Sequence, residues 1–238
     1  AAVDAALAEK LAALLSAVQA LVDEQNQMTA PIPDELPTEN ATCTYVSTDG
    51  TVQSESPVTL SEAVEALNEA GGGTITVVSS GLAGANNILI SAEITIIAQE
   101  GNPVTVTAMP METEDSMFEL DTLSSVTTGT SVLTLGQDNM SKGLLTFDGA
   151  KQANTTIVSN YYGTGSETSP HGVVLRDGIV LTGCTVSTIG EPKSRTLPKV
   201  TMYGGQITGN YGKYAISGVP FVMEGGEIFG NVSEVATV

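Results

Sequence analysis

In the C-terminal half of this 238-residue chain only one place sets a basic side chain directly beside an acidic one, Arg176-Asp177. A polysaccharide lyase needs a base to take a proton and carboxylates to hold calcium or neutralise a uronate. A glycosidase needs two carboxylates flanking the glycosidic bond. One Arg-Asp pair meets neither demand and reads as a surface ion pair; were the chain an enzyme, Arg176 and Asp177 would be its catalytic candidates. His171 is the single histidine. It lies in Ser-Pro-His-Gly with no G-x-S-x-G nearby and reads as a loop residue. The acidic residues Glu112, Glu114, Asp115, Glu119 and Asp121 could approach a calcium ion, but they lack the spacing and central glycine of an EF-hand loop, so no cofactor is expected.

Binding chemistry is better supplied. Five of the six tyrosines, Tyr161, Tyr162, Tyr203, Tyr211 and Tyr214, fall in the last third of the chain. Tyrosine rings stack on sugar faces while their hydroxyls hydrogen-bond, so an exposed cluster on a rigid β-face suits carbohydrate or protein recognition. Gln206 and Glu227 join them as polar positions expected to point outward.

Charge limits the partners. The net charge is −19, distributed as −6 over residues 1–40, −13 over 41–150 and zero over 151–238. A surface that acidic repels phosphate backbones and anionic headgroups, which argues against nucleic acid and directs any glycan or protein partner to the neutral third. Charged residues are only 15% of the chain, aromatics 4%, and Trp is absent. Such a composition suits an exterior of Ser, Thr, Asn and Gly around an aliphatic core.

The elements that must position these groups are visible as a repeat. VLTGCTVSTI (180–189), TMYGGQITGN (201–210) and VMEGGEIFGN (222–231) align at an offset of 21. The alignment puts Leu181, Met202 and Met223 in one apolar column and Val186, Ile207 and Ile228 in another, with a glycine-containing turn between. A repeat this short supplies one turn of a stacked architecture. If the methionines face inward, alternation turns Tyr203 and Glu224 outward beside Thr182, and Gln206 and Glu227 outward beside Thr185. Asn210 and Asn231 fall at one turn position, where stacked amides can bond each other and the backbone.

The GG-(Q/E)-I-x-GN pattern resembles the repeats of bacterial cell-surface proteins that fold as right-handed parallel β-helices of the pectin-lyase-like type. Gly225-Gly226-Glu227-Ile228, followed by Phe229-Gly230-Asn231, is also similar to repeats of polymorphic outer-membrane adhesins. Cys184 and Ile189 depart from the Gly and Asn that the first copy should carry. The close match covers 180–231 and a looser pattern runs back to about residue 43. The resemblance implies a mainly β fold, a parallel β-helix displayed outside the cell or in its wall. It implies an adhesive or glycan- or protein-binding role, with a β-helix lyase or glycoside hydrolase as the alternative.

Upstream, Leu7, Leu11, Leu14, Val18 and Leu21 mark a heptad-like helix within residues 1–28, too interrupted by charge to cross a bilayer. Residues 29–42 have linker composition, with three prolines. The domain proper is expected over 43–238. In it Thr59-Leu-Ser-Glu62 is a capping box that opens a short helix near 60–70, stopped by Gly71-Gly72-Gly73. Such a helix would plug an end where apolar columns and strand edges lie open. Short strands follow at Thr74–Val78, Ile88–Ile90, Ile94–Ile97, Val104–Thr107, Met117–Leu120, Val132–Leu135, Leu144–Phe147, Thr156–Val158 and Val173–Leu175. Intervals without long helices exclude a doubly wound α/β sheet. Cys43 and Cys184 form no metal-like spacing, and Cys184 reads as a buried thiol. A chain opening on Ala1 suggests removal of a leader or upstream segment.

Overall fold

A computed structural model describes residues 10, 15, 33–121, 130–161, 171–190 and 199–232, apart from the side chains of 160 and 161. The chain divides into two compact units, Ala1–Ile32 and Pro33–Val238. In the first, Lys10 and Leu15 are helical and exposed; the rest of the expected N-terminal helix lies outside the described residues. Among the described residues no helix is long and apolar enough to cross a membrane.

The second unit is mainly β. In chain order its elements are β1 (Thr42–Ser47), β2 (Val58–Thr59), α1 (Leu60–Glu69), β3 (Gly72–Ser79), β4 (Gly81–Leu82), β5 (Ile88–Ile90), β6 (Glu93–Ala98), β7 (Val104–Thr107), β8 (Asp115–Asp121) and β9 (Val132–Leu135). They continue as β10 (Leu145–Asp148), β11 (Thr155–Tyr161), β12 (Gly172–Leu175), β13 (Ile179–Thr182), β14 (Ser187–Gly190), β15 (Val200–Met202), β16 (Gln206–Thr208), β17 (Tyr214–Ser217), β18 (Phe221–Met223) and β19 (Glu227–Phe229). Each segment expected as a strand from residue 74 onward is one, displaced by no more than three residues at either end.

Three sheets result, ordered β18-β15-β12-β9-β6-β3-β1-β2, β19-β16-β13-β10-β7-β4 and β17-β14-β11-β8-β5. From β3 onward hydrogen-bonded neighbours are three strands apart in sequence and parallel, so three successive strands, one per sheet, form a row. Rows stack like residues on like. The first sheet carries the inward column Ile75, Ile96, Leu135, Leu175, Met202, Met223. The second carries Val106, Phe147, Leu181, Ile207, Ile228, and the third Ile88, Phe118, Val158, Ile189, Ile216. Phe118 meets Phe147 edge-on between sheets, with centroids 5.4 Å apart at 81°. This geometry suits the ring quadrupoles and fills the centre of the core.

The register corrects the sequence alignment in one row. The offset of 21 holds from Met202 to Met223 and from Ile207 to Ile228. Leu181, however, pairs with Ile207, and Leu175 takes the place beside Met202. Val186 is not in a strand; its carbonyl accepts from Lys213 N. The preceding row is longer, because nine residues separate β14 from β15 in the sequence where three separate β17 from β18.

The two ends differ. At the first, β1 lies antiparallel on β3 and β2 on β1, and α1 buries Leu60, Ala63, Val64 and Leu67. The helix starts as expected: Thr59 Oγ1 accepts from Glu62 N, and Glu62 Oε2 accepts from Thr59 N at 2.9 Å. Thr59→Ala removes one side of this box and is expected to cost about 1 kcal/mol, read as a lowered urea midpoint with an unchanged slope. The segment before β1 is hydrogen-bonded in its latter part, with Asp34 N donating to Ala150 O and Leu82 N to Glu39 O. At the far end β17, β18 and β19 are the last strands of their sheets. There Met223 and Ile228 are 46% and 37% exposed in positions whose equivalents one row earlier, Met202 and Ile207, are buried.

Candidate binding groove

Three consecutive rows pass from the first sheet to the second through three residues: Arg176-Asp177-Gly178, Tyr203-Gly204-Gly205 and Glu224-Gly225-Gly226. So tight a passage needs glycine. Gly205 has φ +80, and a Cβ there would lie 2.8 Å from Arg176 O, a distance that real side chains do not tolerate. The row before them makes the same passage with nine residues, 136–144. Its extra length projects beside the tight turns and forms a wall.

That wall is braced. Met140 is buried and packs against Gly178, where a Cβ would collide with it. Asn139 N donates to Asp177 Oδ2 at 2.9 Å, and Ser141 Oγ donates to Glu100. Between wall and turns runs a groove of about 300 Å3, lined by Met140, Lys142, Asp177, Gln206 and Glu227 together with turn glycines. Gln206 Nε2 donates to Glu227 Oε2 at 2.5 Å, and Lys142 Nζ reaches the same oxygen at 2.9 Å. These bonds hold the Glu227 carboxyl below its usual range, the Lys142 contact being the larger cause and Gln206 the next.

Arg176 and Asp177 do not pair with each other. Arg176 Nη1 bonds Asp138 Oδ1 at 2.5 Å, and its guanidinium lies 5.3 Å from the centroid of Tyr203. Tyr203, 45% exposed, thus presents a ring steadied by a cation and immediately precedes groove-lining Gly204. The structure brings Arg176, Asp177, Tyr203, Gln206 and Glu227 into one neighbourhood. Lys142, Asp138 and Met140 complete it and were missed in the sequence; the legible signal was the long polar segment bounded by Gly136 and Gly143, between two strands whose counterparts in the three following rows need only three linking residues.

The other tyrosines are elsewhere. Tyr211 follows the second sheet, its N–H donating to Cys184 O at 2.7 Å and its ring 5.9 Å from Lys151 Nζ. Tyr214 lies in β17 beside Ser187 and lines a hollow of about 640 Å3 at the far end of the sheets, with Phe221, Ile228 and Phe229. The backbone of Tyr161 pairs with Asp121; its side chain, and all of Tyr162, lie outside the described residues.

The acidic residues do not converge. Alternation puts Asp115, Glu119 and Asp121 on one side of β8, yet strand rise separates the first two by about 14 Å. Asp115 accepts from Asn87 Nδ2 at 2.7 Å, and Glu119 is buried. Among the described residues no group of three or more His, Cys, Asp or Glu is placed to hold a metal ion. His171, just before β12, accepts at Nδ1 from Ser131 N at 2.9 Å, tying that loop to the row below.

Cys184 occupies the asparagine position rather than a glycine one. Its N–H donates to Asn210 Oδ1 at 3.0 Å as Asn210 N does to Asn231 Oδ1 at 3.1 Å, and Asn210 Nδ2 donates onward to Asn231 Oδ1 at 2.8 Å. Both cysteines are free and buried. Burial pushes the Cys43 thiol up to about 12 and raises that of Cys184 as well. Burial of this kind disfavours the thiolate that nucleophilic attack needs.

Compared with known proteins, the chain matches no family model, no curated protein and no solved structure.

Proposed function

We propose that this chain is a non-catalytic, surface-exposed module of a secreted or cell-wall-associated bacterial protein. Its three sheets are the faces of a right-handed parallel β-helix with about 21 residues in its shortest coils. The module acts in adhesion or ligand binding, holding a glycan or protein of a host or neighbouring cell. The observation that carries this reading is the braced polar groove whose lining residue Gly204 directly follows the half-exposed Tyr203, a cleft with an aromatic residue next to it in the chain, of the kind used in sugar recognition. The strand order, every third strand adjacent and parallel, supports the β-helix. The low charged content, 15% of the residues, supports an extracellular setting.

Groove chemistry favours binding over turnover. A glycosidase acid must keep its proton near neutral pH, whereas Lys142 and Gln206 push Glu227 the other way. The Arg176 guanidinium is engaged by Asp138 and by the Tyr203 ring. The test is a binding screen of the whole chain against oligosaccharides and cell-surface preparations, with a cleavage assay on pectins, other uronates and neutral glycans. Binding is expected to weaken about tenfold in Tyr203→Ala, the loss of one stacking contact at its upper magnitude, with no product formed, with or without calcium. Turnover abolished by Arg176→Ala or Asp177→Ala in a folded protein would establish the lyase or hydrolase instead.

A further inference from the structure

The charge balance of the groove narrows its ligand. Two carboxylates and one ammonium line it, Asp177, Glu227 and Lys142. Lys142 engages Glu227, and among the described residues no cation lies within ion-pair distance of Asp177. Asp177 Oδ2 takes only the N–H of Asn139, and Oδ1 packs against Gly204 at the groove floor. At the rim Arg176 is neutralised by Asp138. One negative charge is therefore left over, carried on a braced turn beside the tyrosine. The Lys142–Glu227 bridge is an open one, with side chains 69% and 54% exposed, of the kind that contributes little and yields readily to a competing cation.

Building on the glycan-binding reading, we propose that the groove selects a sugar carrying a free amino group, an oligomer of 2-amino-2-deoxyhexose. Its ammonium sits on Asp177 and a ring face lies against Tyr203. An ammonium on that carboxylate gains an ion pair together with a charge-assisted hydrogen bond, whereas the amide N–H of an N-acetylated sugar brings no positive charge and a uronate meets like charge. A lysine-bearing peptide would satisfy Asp177 but offers no ring to Tyr203.

The experiment is calorimetric titration of the whole chain with β-1,4-linked glucosamine, N-acetylglucosamine and galacturonate oligomers of equal length, and with oligolysine, at low and physiological salt. The amino oligomer is expected to bind about tenfold more tightly than the acetylated one, with a preference that shrinks as salt rises. Asp177→Asn keeps an oxygen for the Asn139 N–H; it should remove the preference while leaving the melting temperature in place. Tyr203→Ala should weaken both amino and acetylated oligomers. Equal affinity for the two, tighter binding of galacturonate, or a preference that survives Asp177→Asn overturns the amino-sugar assignment while leaving a glycan-binding module. Oligolysine binding that matches the amino oligomer and ignores Tyr203→Ala replaces the sugar with a protein ligand. No binding of any saccharide removes the glycan reading and this one with it.

Discussion

Ile207→Asp is expected to abolish cooperative folding of the β-rich unit, or to lower its stability by several kcal/mol. Ile207 has no exposed surface and sits between Leu181 and Ile228 in the inward column of the second sheet. A carboxylate there has neither cation nor donor within the aliphatic stack. It must ionise unsolvated or stay protonated, and either state carries the full penalty of a buried unpaired group. Gln206→Ala, one residue earlier on the opposite face, removes only the bond to Glu227 and should shift stability by less than about 0.5 kcal/mol. Urea titration followed by circular dichroism separates the two. Similar losses in both variants would mean that the assignment of inward and outward faces is wrong.

Phe118→Ala is expected to cost about 3–5 kcal/mol, the usual range for truncating a fully buried ring. The ring is inaccessible to solvent and lies between Ile88 and Val158 in its own sheet, with Phe147 reaching it from the second. The surrounding columns are pinned by strand pairing on both sides, so the vacated space has little means of collapsing. Phe118→Leu should recover much of the loss. A cycle with Phe147→Leu should show a coupling of about 0.5–1.5 kcal/mol from the edge-to-face contact. A truncation costing under about 1 kcal/mol would show that the three sheets do not meet at this ring.

Strand positions were legible because the chain states them locally. Runs such as Val104–Thr107 and Val132–Leu135 are β-branched or aliphatic, alternate with period two and end at glycine, asparagine or proline. The helix α1 was legible for the same reason, through its capping box. Relations between rows were not. Nothing in TCTYVS says that β1 runs antiparallel to β3, since hydrogen-bond direction depends on a partner thirty residues away. The repeat alignment read Cys184 as a substituted glycine because a fixed offset cannot accommodate an insertion, whereas backbone pairing sets Gly183-Cys184 beside Gly209-Asn210. The groove shows both situations. Tyr203, Gln206 and Glu227 come from the repeat and could be named in advance. Asp138, Met140 and Lys142 come from a loop whose partners lie 38 and 85 residues further on, and no local pattern encodes such contacts.

The unequal rows carry a consequence for chain entropy. Val173 and Val200 are paired across 27 residues, and Val200 and Phe221 across 21. The cost of closing a flexible loop grows only with the logarithm of its length, so the six additional residues add about 0.2 kcal/mol. A single misplaced polar atom in an inward column costs many times that. Composition at the column positions is therefore under tight energetic control, while the length of a connection is nearly free to vary. The nine-residue passage at 136–144 is such a variation, and the groove exists because one connection outgrew its neighbours. Grafting a loop of different length and charge between Leu135 and Leu145 would reshape the binding wall while leaving all three stacked columns in register.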